Sequence, residues 1–88
     1  MQAFVKHFTS PDFWRHYNLL PEEIKRLADK NFKLLETDPH HPSLHLKRVG
    51  PGWSARVGIN YRVIGKSRQE GIVWVWIGPH SEYDRILS

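Results

Sequence analysis

The stretch from Trp53 to Ile64, WSARVGINYRVI, limits the fold of this chain more than any other. Apolar and polar residues alternate at period two on both sides of Gly58-Ile59-Asn60. That is the pattern of a β-hairpin closed by a short Gly/Asn-containing loop. With a three-residue loop, Arg56 faces Arg62 across the ladder, while Ala55 and Val57 share the other face with Tyr61 and Val63. Like charges directly opposed on a sheet cost from a few tenths to about 1 kcal/mol. A small domain has little stability to spare, so the pair points to an anion held between the two guanidinium groups. The plain alternative is two solvated arginines that splay apart.

The distribution of charge supports the anion. Residues 1–38 carry six Lys/Arg and six Asp/Glu, which cancel. From Pro39 to Gln69 there are six basic residues (Lys47, Arg48, Arg56, Arg62, Lys66, Arg68) and no acidic one. The net charge of +4 is therefore concentrated in and around the hairpin, with His40, His41 and His45 beside it. A basic patch gathered on one sheet is the electrostatic footprint of a phosphate-rich partner. At 88 residues the chain reads as a single domain, 1–88, with a modest core. With no cysteine, disulfides and thiolate metal sites are excluded. No apolar run reaches the ~18 residues that span a bilayer, and the N-terminus lacks a signal-peptide core. A soluble, cytoplasmic protein without a membrane partner is the expectation.

The rest of the chain supplies a scaffold. Gln2 to Thr9 reads as a short strand with Phe4 and Phe8 on one side. Ser10-Pro11-Asp12 starts a helix: a capping hydroxyl, proline at the first helical position, an acid in the first turn. Asn18 and Pro21 close it. A second helix opens at Pro21-Glu22-Glu23 and runs to about Thr37, with Ile24, Leu27, Ala28, Asn31, Leu34 and Leu35 on one stripe. The two form a helical hairpin that must lie on the sheet. Asp38-Pro39-His40-His41-Pro42 is a loop, and Leu44 to Val49 reads as a strand leading through Gly50-Pro51-Gly52 into the central hairpin. A turn near Gln69-Glu70-Gly71 leads to Ile72-Val-Trp-Val-Trp-Ile77, apolar on both faces and so expected in the middle of the sheet, with Trp74 and Trp76 on one face. Ser81 to Leu87 can form one or two helical turns, with His80 and Tyr83 on one side.

Zinc binding by His40, His41 and His45 is disfavoured, because two of the three are adjacent in a proline-bound loop. No nucleophile elbow and no Gly-rich phosphate loop appear. Neither a metal nor a cofactor is expected. What remains is Lys47, Arg56, Arg62, His80 and Tyr83, which an antiparallel sheet could bring to one concave face. That set suits cleavage of RNA by its own 2′-hydroxyl. The reaction needs a proton acceptor, cations for the phosphorane charge and an acid for the leaving 5′-oxygen. An imidazole titrates in the right range for proton transfer, and guanidinium groups clamp phosphate oxygens in bidentate fashion.

Over nearly its whole length the sequence resembles the RelE/ParE superfamily of bacterial type II toxins. The resemblance rests on Leu20-Pro21, Asp38-Pro39, Ser43-Leu44 before Lys47, Trp53-Ser54-x-Arg56-Val57, Tyr61-Arg62, and Trp76-Ile77-Gly78-x-His80-x-x-Tyr83-Asp84. The last three motifs, in this order and spacing, look like the subgroup of cytotoxic translational repressors. The resemblance implies an α+β fold: an N-terminal helical hairpin packed on a small twisted antiparallel β-sheet, with a short C-terminal helical turn. It also implies a ribosome-dependent mRNA endoribonuclease that blocks translation. On that pattern Arg62 stabilises the transition state, Arg56 stands for a basic strand residue, His80 is the general acid or base, and Tyr83 orients the phosphate or stacks on a base. Lys47, Arg48, His45 and Lys66 are the candidate RNA contacts. The implied partners are a cognate antitoxin, mRNA on the ribosome, and operator DNA only through the antitoxin. The sequence departs from RelE itself, which carries lysines and arginines where Ser54 and His80 stand here. Two alternatives remain open: a ParE-like non-enzymatic inhibitor of DNA gyrase, and an inactive member that only binds its antitoxin and operator DNA.

Overall fold

A computed structural model describes residues 6–87. The elements run β1 (Lys6–Thr9), α1 (Pro11–Tyr17), α2 (Glu22–Thr37), a 3₁₀ turn (Pro42–Leu44), β2 (Lys47–Val49), β3 (Gly52–Val57), β4 (Tyr61–Arg68), β5 (Gly71–Pro79) and α3 (His80–Leu87). The strands form one five-stranded sheet in the order β1-β5-β4-β3-β2. The architecture is therefore α+β, as expected, but the sheet is mixed: β1 pairs with β5 in parallel, and the other neighbours are antiparallel. The expected strand over Gln2–Thr9 is seen as Lys6–Thr9, and Phe4 lies outside the described residues. No helix is long and apolar enough to cross a membrane, among the described residues.

The helical hairpin forms for the reasons its sequence gives. Ser10 Oγ accepts a hydrogen bond from Phe13 N at 3.2 Å, and Pro11 fills the first position of α1. Asn18 N donates to Trp14 O at the helix end. In α2, Ala28, Asn31 and Leu35 are the buried residues of the stripe. Ala28 and Leu35 meet Phe13, Leu44, Ala55, Val57, Val63, Ile72, Trp74 and Ile77 in a single core. One face of the sheet is thus covered by α1 and α2, and the other is left for α3 and solvent.

Asn31 interrupts that apolar stripe for a definite reason: its Nδ2 donates to the backbone carbonyl of Arg56 at 3.0 Å. The long helix thereby fixes β3 at the position where the arginine pair begins. Asn31→Leu leaves that part-buried carbonyl without its partner, so an expected loss of about 1–3 kcal/mol follows. Urea unfolding of the two proteins measures it, and an unchanged midpoint would contradict this role for the side chain.

Three sequence expectations are corrected. The strand expected from Leu44 to Val49 is shorter, because Pro42–Leu44 forms a 3₁₀ turn and His45 takes a left-handed conformation, φ 46°. A residue in that conformation cannot continue a ladder, so β2 begins at Lys47. The strand carrying the tryptophans is not the middle of the sheet; β4 is, and β5 lies between it and β1. Finally, Trp74 and Trp76 do not share a face. Ile64 pairs with Trp76 but Gly65 pairs with Trp74, so the ladder slips by one residue at Val75. A bulge of this kind reverses the alternation on one side of it. Trp74 turns to the helices and is fully buried, whereas Trp76 follows Ile64 to the opposite face.

Candidate functional site

The central hairpin has the register expected from its sequence. The loop is Gly58-Ile59-Asn60, and Arg56 pairs with Arg62. Gly58 closes the loop at φ +67°, and a Cβ there would fall 2.9 Å from Leu27 Cδ2. Both conformation and space therefore call for glycine. On the face away from the long helix lie successive rows of side chains. One row is Arg56, Arg62 and Gly78, the next is Lys47, Ser54, Ile64 and Trp76, and a third is Val49, Gly52 and Lys66.

His45, Lys47, Ser54, Arg56 and Arg62 line one small cleft of about 40 Å³. Three of the sequence candidates on neighbouring strands are thus brought together, with His45 delivered to them by its left-handed turn. Arg62 is the best fixed. Its Nη1 donates to the carbonyls of Ile59 (3.1 Å) and Tyr61 (2.9 Å), so the guanidinium folds back against the hairpin tip. Partial burial, and then the Arg56 guanidinium opposite, lower the Arg62 pKa; Tyr83 and Asp84 act the other way. Desolvation together with like-charge repulsion means that an anion entering the cleft relieves an existing cost.

The C-terminal helix completes the surroundings. His80 N donates to Asn60 O at 2.7 Å, which ties the start of α3 to the hairpin tip. His80 Nε2 lies 3.3 Å from Asp84 Oδ1, one helical turn on. The imidazole is exposed, and its ring centroid is 6.1 Å from that of Tyr83. Tyr83 itself is buried, and its hydroxyl donates to Ser54 Oγ at 3.0 Å. In this arrangement the phenol anchors α3 to the sheet and offers no open ring face on which a base could stack.

The remaining candidates are placed apart. Lys66 is exposed on the same face as the arginine pair but two rows away, opposite Gly52. Arg48 pairs with Trp53 and so belongs to the other face, where its guanidinium lies 5.0 Å from the Trp53 ring centroid. It is separated from the cleft by the sheet. His41 caps the 3₁₀ turn, its Nδ1 accepting from Ser43 N at 3.2 Å. Among the described residues, no three of His, Asp and Glu converge as a metal site.

Two residues with a part in this geometry have no role in the sequence reading. Asp84 is four residues beyond His80, the spacing that brings helix neighbours together. Ser54 is two residues from Arg56, the spacing that keeps strand residues on one face. Both signals were present in the sequence, but each needed α3 to be docked on the sheet before it had meaning.

The architecture and the cationic face define a class before any name does: a small helix-covered sheet whose open side carries opposed arginines. The fold is that of the RelE/ParE toxins. A chain in the crystal structure of the RelB–RelE antitoxin–toxin complex from Methanococcus jannaschii superposes with a TM-score of 0.71 at 13% identity, covering 92% of this chain and 99% of that one. One in the Escherichia coli DinJ–YafQ toxin–antitoxin complex gives 0.71 at 15% identity, covering 91% and 97%. One in the archaeal RelE–RelB complex from Pyrococcus horikoshii gives 0.66 at 19% identity, covering 88% and 96%. No protein-family model and no curated protein matches the sequence.

Proposed function

We propose that this chain is the toxin of a type II toxin–antitoxin pair, acting in the cytoplasm as a ribosome-dependent mRNA endoribonuclease. The observation that carries the reading is the cleft in which Arg56 and Arg62 are opposed, with Lys47 and His45 beside them and His80 tethered to the same hairpin tip. A scissile phosphate sits between the guanidinium groups. The 2′-oxygen of the preceding ribose attacks phosphorus, the bond to the 5′-oxygen breaks, and a cyclic phosphate is left on the upstream fragment. Arg62 and Arg56 stabilise the charge that builds on the equatorial oxygens. His80 carries one of the two proton transfers, from the 2′-hydroxyl or to the leaving 5′-oxygen, and solvent water exchanges the other proton. Tyr83 and Ser54 hold α3, and with it His80, against the sheet. Lys47, His45 and Lys66 contact flanking phosphates. Arg48, on the other face, contacts RNA only if the strand wraps around the edge at β2.

The three structural neighbours described above come from complexes of toxins with their antitoxins, which supports an antitoxin as partner here. Operator DNA would be reached through that antitoxin.

The test is brief expression without antitoxin, followed by mapping of mRNA 5′ ends. New ends at a fixed position in the reading frame are expected, and His80→Ala should lower their rate of appearance by roughly 10²-fold. Growth arrest with intact mRNA would replace this reading with gyrase inhibition. Absence of arrest would leave a protein that binds its antitoxin and lacks activity of its own.

A further inference from the structure

On the helix-covered side, a second cavity of about 260 Å³ opens between β1, α1 and α2. Its walls include Trp14, Tyr17, Phe32 and Trp74, and its rim carries Asp29 and Glu36. The aromatic rings form a connected set. Phe13 meets Trp14 and Phe32 edge to face at 5.0 and 5.3 Å, Trp14 meets Tyr17 at 5.0 Å, and Phe32 meets Trp74 at 6.0 Å. Two hydrogen bonds hold the walls in place: Trp14 Nε1 to Thr9 Oγ1 at 2.9 Å and Tyr17 OH to Asp29 Oδ1 at 2.8 Å.

The electrostatics of this cavity are opposite to those of the arginine cleft. Among the described residues, no lysine or arginine lines it. Its histidine, His7, accepts at Nδ1 from Trp74 Nε1 at 3.1 Å, so the imidazole is neutral when that bond is made. Glu36 stands in the last turn of α2, which contains no basic residue to offset the partial negative charge at the helix end. Aromatic faces, two carboxylates and a helix C-terminus all favour a cation. A flat guanidinium fits best, since it stacks on rings and bonds a carboxylate through two N–H groups at once. Lys25 already illustrates the preference, its Nζ lying 5.8 Å from the Tyr17 ring centroid.

We propose that this aromatic cavity receives an arginine side chain presented by a partner polypeptide. The site is independent of the nuclease reading, because it lies on the other side of the sheet and uses none of the residues of the cleft. An arginine seated there would leave the cationic face open to RNA while the protein is held from behind.

The test uses the ¹⁵N-labelled protein and a blocked arginine, N-acetyl-arginine methylamide, with blocked citrulline as the uncharged isostere. Saturable shifts of the Trp14 indole N–H and the His7 ring signals are expected with the arginine probe alone. Glu36→Gln, a change on an exposed helix position, should weaken that binding by about fivefold, and Trp14→Leu should abolish the saturable response. Absence of saturation up to roughly 50 mM would overturn the proposal, since even millimolar affinity would be visible there. Equal binding of citrulline, or binding indifferent to both substitutions, would overturn it too.

Discussion

Arg62→Ala is expected to lower the rate of ribosome-dependent mRNA cleavage by at least ~10²-fold, the usual consequence of removing a donor aimed at developing transition-state charge. The same substitution should leave the unfolding midpoint unchanged or slightly raised. Arg62 faces Arg56 across the ladder, and removing one of two opposed like charges relieves repulsion. Its bonds to the Ile59 and Tyr61 carbonyls are near the surface, where water can replace them. Activity and stability therefore move in different directions. Arg62→Lys should recover only part of the rate, because a lysine keeps the charge but loses the planar fork that the two carbonyls hold in position. Single-turnover cleavage on programmed ribosomes, set beside urea unfolding of the same preparations, reads both. Cleavage within a few-fold of the parent protein would remove Arg62 from the chemistry, and a large fall in stability would make it a structural residue.

Trp74→Ala has the largest expected effect on folding, a loss of about 3–5 kcal/mol. The ring is fully buried, stands edge to face with Phe32, and donates its N–H to His7. It also fills the space left by Gly65, where a Cβ would lie 2.8 Å from Trp74 Cε3. Small domains have a total stability of about 5–15 kcal/mol, so this one substitution removes a large share of it. Trp76→Ala should cost less, since Trp76 lies outside the core cluster that holds Trp74 and borders a groove with His16 and Leu19. Denaturant midpoints of the two variants compare them directly, and an equal loss would contradict this difference in packing.

The hairpin and its arginine pair were legible because period-two alternation and a Gly/Asn loop are local signals that determine register. Asn31 was legible in part, since a polar residue on an apolar helical stripe asks for a buried acceptor. The reversal between Trp74 and Trp76 was not, because a bulge leaves no mark in a run of Val and Trp that reads equally well in either phase. The parallel pairing of β1 with β5 joins segments far apart in the chain, and no local pattern encodes it. The left-handed turn at His45 broke an otherwise acceptable strand pattern. Tyr83 looked like a site residue from its spacing to His80; only the docking of α3 shows that its hydroxyl is taken by Ser54.

The tie between Asn60 and His80 has a consequence for the order of synthesis. Protein chains leave the ribosome N-terminus first, and a domain generally folds as a unit once enough of it has emerged. The arginine pair is set by contacts local to the hairpin, whereas His80 and Asp84 join it only after β5 has been laid down beside β4. β1, made first, must likewise wait for residues 71–74 before it has the strand it pairs with. A nascent chain that ends short of α3 thus displays the cations without the imidazole. On the proposed function such a chain lacks the imidazole assigned to proton transfer, so cleavage is expected only from chains that include α3.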